Sequence, residues 1–148
     1  GDFRDGDFRD GDFRNADLRY VNFLGANLRG IKLSNAKICE DNLTMFRDDI
    51  WSVLSSAPKE VPTLIAAIKS GQINGSSYEG DCCCLLGTIA NARDCGFKNI
   101  TGLSPDDSRL AEVFFLAIQK GDTPETSEFS RIAHDWCSQW LANMKAAF

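Results

Sequence analysis

His134 is the single histidine of the chain, so any Ser–His or Cys–His catalysis must run through it. His134 and Cys137 stand three residues apart, on one face of a helix, and with Cys95 they would supply three ligands to a metal ion. A fourth ligand is not evident, and nothing in the sequence sets a nucleophile or an orienting acid beside the imidazole. The expectation is a partly exposed helix histidine. Cys82, Cys83 and Cys84 are consecutive, without the C-x-x-C spacing of a zinc site, and read as small buried apolar residues. Ser56-Ala57-Pro58-Lys59 matches S-x-x-K, but the partner motifs S-D-N and K-T-G are absent. No phosphate loop or dinucleotide fingerprint is present, and Gly87 reads as a point of close helix packing. No catalytic residue, no metal and no cofactor is therefore expected.

The charged residues that do recur belong to a repeat of period five. Residues 1–14 read GDFRDGDFRDGDFR, and the phase continues through NADLRYVNFLGANLRGIKLSNAKICEDNLTM. The central column holds Phe3, Phe8, Phe13, Leu18, Phe23, Leu28, Leu33, Ile38 and Leu43. Two residues earlier stand Gly1, Gly6, Gly11, Ala16, Val21, Ala26, Ile31, Ala36 and Asp41, small or apolar until the last. Period five fits neither a helix nor a long strand. It fits a solenoid that sends one large and one small side chain inward per unit and turns a corner with the rest.

These nine units, residues 1–45, closely resemble the pentapeptide repeat family, whose motif is a small residue, Asp or Asn, Leu or Phe, then two variable residues. The resemblance implies a right-handed quadrilateral β-helix with four units to a coil. Slightly more than two coils follow, a rod about 10 Å tall at the usual strand spacing. The fold class expected is α+β: this short β-helix over 1–45, then an all-α domain of about five helices over 46–148 that docks on its end.

The outward columns are candidate partner-binding surface: Asp2, Asp7, Asp12 and Asp17 before the centre, Arg4, Arg9, Arg14 and Arg19 after it. With units four apart stacked, Asp2 is expected beneath Asp17 or a near neighbour, with Arg interleaved to offset the repulsion. Eight acids (Asp2, Asp5, Asp7, Asp10, Asp12, Asp17, Glu40, Asp41) face seven bases (Arg4, Arg9, Arg14, Arg19, Arg29, Lys32, Lys37), so the rod is nearly neutral. The alternative to a binding surface is a solvated, self-paired one.

Past Met45 the pattern becomes helical. Phe46, Ile50, Val53 and Leu54 form one stripe to about Ala57. Pro58 opens a second helix that ends at Gly71. A third spans Asp81 to about Arg93, a fourth starts at Ser104-Pro105 and runs to about Lys120, and a fifth starts at Thr123-Pro124 and runs to near Lys145. Phe114, Phe115, Phe129, Trp136 and Trp140 fall on helix stripes as core, while Trp51, Trp136 or Trp140 would anchor a partner if exposed.

The chain has 148 residues and a formal net charge of −5, with thirteen acids against nine bases in 46–148. That balance argues against a direct electrostatic grip on nucleic acid. No apolar run is long enough for a membrane span, and no export signal is visible, which points to reduced thiols in a cytoplasm. The resemblance also implies a function. Some pentapeptide repeat proteins mimic DNA with an acidic rod, which the Arg rows and short length here support less than they support protein binding. The reading is a non-catalytic, acidic, protein-binding inhibitor, DNA-mimicking in its fullest form, that blocks a nucleic-acid-handling enzyme or complex in a bacterial cytoplasm. By analogy the setting would be a phage or mobile element, as for anti-CRISPR proteins. The open end of the β-helix would permit a homodimer. The alternatives are a structural or oligomerising module, or a ligand-binding or enzymatic helical domain on a repeat scaffold.

Overall fold

The structure is a computed structural model and describes residues 6–23, 25–74, 85–92 and 109–147. In the repeats the chain turns once every five residues. The carbonyl of each large apolar residue accepts the N–H three residues on: Phe8 from Gly11, Phe13 from Ala16, Leu18 from Val21, Phe23 from Ala26, Leu28 from Ile31 and Leu33 from Ala36, at 2.9–3.1 Å. The third residue of such a turn decides its type. It is left-handed at Asp10, Asn15, Gly25, Gly30 and Asn35 (φ 60–73°), residue types that tolerate this region. Tyr20 is the described corner that stays outside it.

The turns bring the chain back beside itself after twenty residues. Strand β1 (Asp17–Leu18) pairs in parallel with β2 (Lys37–Ile38), and single bridges join Asp7 to Asn27 and Asp12 to Lys32. Each rung follows one rule: the Phe8 N–H donates to the Asn27 carbonyl and the Asn27 N–H to the Gly6 carbonyl, both at 2.9 Å. The offset corrects the expected stacking. Asp17 stands fifteen residues from Asp2 and has Lys37 as its neighbour, so the Asp column meets Asn and Lys rather than Asp. Of the expected inward column, Leu18, Phe23, Leu28 and Leu33 are buried, and Phe8, Phe13 and Ile38 are partly buried against them. Phe8 sets its ring edge-on to Phe13 and Phe23, at 5.9 and 5.5 Å between centroids. Phe3, with Asp2 and Arg4, lies outside the described residues.

The ninth unit does not form. Helix α1 covers Glu40–Ser56, so Leu43 sits on a helix, and the change of architecture falls before Glu40 rather than at 45/46. Cys39 caps the start in extended conformation, and Glu40 and Asp41 put negative charge in the first turn, where a helix favours it. Asp41, which breaks the small-residue column, marks the point.

One turn into α1, Asn42 is buried, and its side chain does what a third coil's backbone would have done. The Phe23 N–H donates to Asn42 Oδ1 at 3.2 Å, and Asn42 Nδ2 donates to the Val21 carbonyl at 2.7 Å. Residue 42 is twenty beyond Asn22, so these are the two bonds of the rung rule, made by a carboxamide in place of a peptide group. Without them a buried edge would keep an unmet donor and acceptor.

The other helices complete the cover. A 3-10 turn (Pro58–Glu60) leads into α2 (Val61–Lys69), which ends before Gly71 (φ 77°) as expected. A Cβ on Gly71 would come within 3.2 Å of the Gly121 backbone, where the Gly121 N–H donates to the Gly71 carbonyl at 2.9 Å. Helix α3 spans Leu85–Ala92, α4 Leu110–Leu116 and α5 Glu128–Ala147. The expected start at Ser104 lies outside the described residues. Helix α4 stops at Leu116 rather than Lys120: the Ala117 N–H turns back to Phe114, and the Ala117 carbonyl accepts the Ser34 hydroxyl of the repeats at 2.9 Å. Helix α5 starts at Glu128 rather than Thr123, because Thr123–Thr126 closes a turn on itself and the Ser127 hydroxyl accepts the Ser130 N–H. The start of α4 is capped from another helix: Asp49 Oδ2 accepts the Ala111 N–H at 2.8 Å and Arg109 Nε at 2.9 Å. Helix α1 packs on α4 and α5, and α2 on α3 and α5. Phe114 sits at the centre, with Phe129, Trp136 and Phe46 at 4.9, 5.0 and 5.5 Å. Repeat and helix side chains join in one apolar core.

Replacing Asn42 tests the substitute rung. Asn42→Leu keeps size but orphans two buried backbone groups, and we expect a loss of about 2–4 kcal/mol in urea unfolding. A loss below about 0.5 kcal/mol would show that the edge does not need the carboxamide.

Candidate protein-binding site

The expected Asp–Arg surface is present, but its pairing is different. Asp7, Asp12 and Asp17 each bind the arginine two residues on in their own repeat. Arg9 Nε and Nη2 lie 2.9 and 2.8 Å from the two oxygens of Asp7; the Arg14–Asp12 distances are 2.8 and 2.7 Å, and the Arg19–Asp17 distances 2.9 and 2.7 Å. In all three the arginine backbone N–H also donates to Oδ1 at 3.2 Å. The turn sets this up, since it holds residues n and n+2 on the same side. A two-pronged pair with a third bond is geometrically fixed even though it is exposed. The guanidinium hydrogen bonds hold Asp7 below the usual carboxylate range and bring Asp12 and Asp17 to about 2; Lys32 and Lys37 of the next rung act on the latter two in the same direction. The same pairs raise the three arginines.

The forks neutralise themselves and leave the second coil's cations over. Residues 6–39 carry four acids (Asp7, Asp10, Asp12, Asp17) and six bases (Arg9, Arg14, Arg19, Arg29, Lys32, Lys37), and no acid occurs between Leu18 and Cys39. This part of the surface is cationic, the wrong sign for imitating DNA. A shallow recess at Asp7, Arg9, Asp10, Arg29 and Gly30 lies on it. Gly30 takes the left-handed corner there (φ 71°), and a Cβ would press on the Asp10 carboxylate, the movable end of its side chain.

A second recess lies where the repeats meet α5. It encloses about 390 Å3 and is lined by Arg19, Asn35, Ala36, Lys37, Ile38, Leu43, Glu128, Phe129 and Ile132. Leu28 and Leu33 are buried, whereas Ile38 and Leu43, expected as solenoid core, are only partly buried. The opening is the share of the absent third coil that the helices leave unfilled. Along the α1–α5 seam it continues into a polar groove holding Arg47, Arg131, Asp135 and Trp136. There Arg47 stacks over Trp51 at 4.8 Å, and Arg131 binds Glu128 and Asp135.

The residues considered for chemistry do not assemble. Cys137 is buried, and burial pushes its thiol up to about 12; His134 is half-buried, with Nδ1 3.8 Å from Asp135. Cys95 and Cys82–Cys84 lie outside the described residues. Among the described residues no three His, Cys, Asp or Glu side chains group as metal ligands, and no helix is long and apolar enough to cross a membrane. Ser56 donates to the Ser52 carbonyl. The tryptophans serve packing: Trp51 Nε1 donates to the Trp136 carbonyl at 3.0 Å, and Trp140 Nε1 to Ser55 Oγ at 3.3 Å. Sequence reasoning missed the recess and the role of Asn42; Asp41 in a small-residue column was the available signal for both.

A family model described as pentapeptide repeats matches residues 2–35 in eight copies. No curated protein and no solved structure matches the chain. The family match ends at Asn35, while the turn-and-rung pattern carries on through Ile38.

The forks give a pH signature. Asp12 and Asp17 stay ionised in the folded chain until well below the ordinary carboxylate midpoint near 4. Their contribution to stability is therefore complete above about pH 4 and lost as pH falls towards 2. Carboxyl carbon NMR shifts of Asp12 should titrate with a midpoint near 2. In an Arg14→Gln variant the midpoint should return to the ordinary range. An unchanged midpoint in that variant would disprove the fork.

Proposed function

We propose that residues 6–39 wind as a right-handed quadrilateral β-helix, with the helices as its cap, and that the whole is a non-catalytic protein-binding module. The twenty-residue offset of every described rung supports the first statement, because it equals four repeats to a coil. The observation that carries the second is the row of three locked Asp–Arg forks. Their side chains are ordered before any partner arrives, so contact with them costs less conformational entropy than contact with loose surface charges. Fixed charges of both signs at regular spacing suit recognition of another protein's charged surface.

The narrower reading is an inhibitor of a nucleic-acid-handling protein. Acidic mimicry then falls to the helical segment, which holds the chain's acidic surplus, and not to the rod. A phage or mobile-element setting of the anti-CRISPR kind fits that reading by analogy alone.

Immobilised chain in a bacterial lysate tests the function. We expect a partner that is held at low salt, released at raised salt, and lost when Arg9, Arg14 and Arg19 are all changed to Gln. A partner held equally by the triple variant would overturn the role given to the forks. Recovery of the chain's own copies alone would favour an oligomerising module.

A further inference from the structure

The recess between the repeats and α5 has the features of a missing rung. By the rung rule, the free edge of β2 presents the Ile38 N–H and the Ala36 carbonyl; both residues line the recess, and neither group meets a partner among the described residues. Beyond that edge lies an apolar floor of Ile38, Leu43 and Ile132. The repeat's own strands are two residues long, so one added rung needs only a short extended segment. Its rim charge is defined. Arg19 is spent on Asp17 and Glu128 on Arg131, while the Lys37 ammonium makes no ion pair or hydrogen bond among the described residues. The repeats show what such a lysine accepts, since Lys37 and Lys32 each have an aspartate as rung neighbour, Asp17 and Asp12.

We propose that this recess takes an extended segment of a partner protein by strand addition to β2, the segment carrying an acidic residue over Lys37 followed by a large apolar residue over Ile38. Main-chain bonds to Ile38 and Ala36 hold it, and the acidic–apolar pair selects it. The order is that of the repeat itself, Asp17-Leu18 beside Lys37-Ile38. This deepens the protein-binding reading and rests on it, because it names one site and the chemistry of its occupant.

Two acetylated, amidated pentapeptides provide the test, one with Asp-Phe at its centre and one with Lys-Phe. Amide NMR shifts of the full chain locate the contact, and anisotropy of labelled peptide gives its strength. We expect the Asp-Phe peptide to shift the Lys37 and Ile38 amides and to bind about ten-fold tighter than its Lys-Phe counterpart, with the preference reversed in Lys37→Glu. Methylating the Phe amide nitrogen leaves charge and side chains in place but should abolish binding if the backbone pairs. Equal binding of both peptides, or shifts elsewhere only, would overturn the proposal. Self-association of the chain that Lys37→Glu abolishes would overturn it too, by making a second copy the occupant. A lysate partner that Lys37→Glu still retains would sink this site and leave the protein-binding function standing.

Discussion

A parallel β coil has no natural end, and the carboxamide of Asn42 supplies one. Every rung exposes a donor and an acceptor to the next, so the ladder must be continued, covered or left open to another chain. Here the next element is a helix, whose own backbone groups are committed along its axis. A side chain with an amide NH2 donor and a carbonyl acceptor, at nearly the spacing of a peptide group, bridges the two architectures. Asparagine has this shape, and its place one turn into α1 brings it over Val21 and Phe23. The docking of α1 follows, and with it one apolar core shared by repeat and helix side chains.

The charges obey a similar economy. Within a repeat the turn puts Asp and Arg side by side, so in the first described coil Asp7, Asp12 and Asp17 are paired locally. The second coil replaces those aspartates with Asn27, Lys32 and Lys37, and the lysines stand next to carboxylates already bound. Arginine thus fixes geometry and lysine sets the sign of the surface. An overall acidic chain consequently carries a cationic second coil, and its net charge is a poor guide to what that coil would meet.

The period of five and the inward column could both be read from the residues, because each repeats and errors average out. The helical stripes and the stop at Gly71 were equally plain. What the residues hid were single events between elements. Asn42 occupies a column where Asn is ordinary, so nothing in its type announces a change from backbone to side-chain pairing. The start of α5 was misplaced because proline and acids gave a strong local signal at 124, while the Ser127 hydroxyl decided that start and the Ala117–Ser34 contact the end of α4. The Asp–Arg forks were expected between coils and formed within repeats, since a turn of known shape outcompetes a neighbour whose register is unknown. The recess depended on how much of a third coil the helices cover, which is a property of packing.

The twenty-residue coil also governs how such a chain tolerates change in length. A duplicated copy of five residues placed before Gly6 leaves every rung above it untouched, because each residue still finds its neighbour twenty positions on. The same five residues inserted between Asp17 and Asn27 would bring Asn27 and Lys32 to the places of Lys32 and Lys37, and shift all that follows by one repeat relative to the first coil. The three near-identical units at the start therefore lie where copy number is structurally neutral, and the diversified units from Ala16 onwards lie where it is not. Sequence variety along the rod maps a gradient of mechanical commitment: interchangeable tiles at one end, and at the other a keyed junction that accepts helices in one orientation.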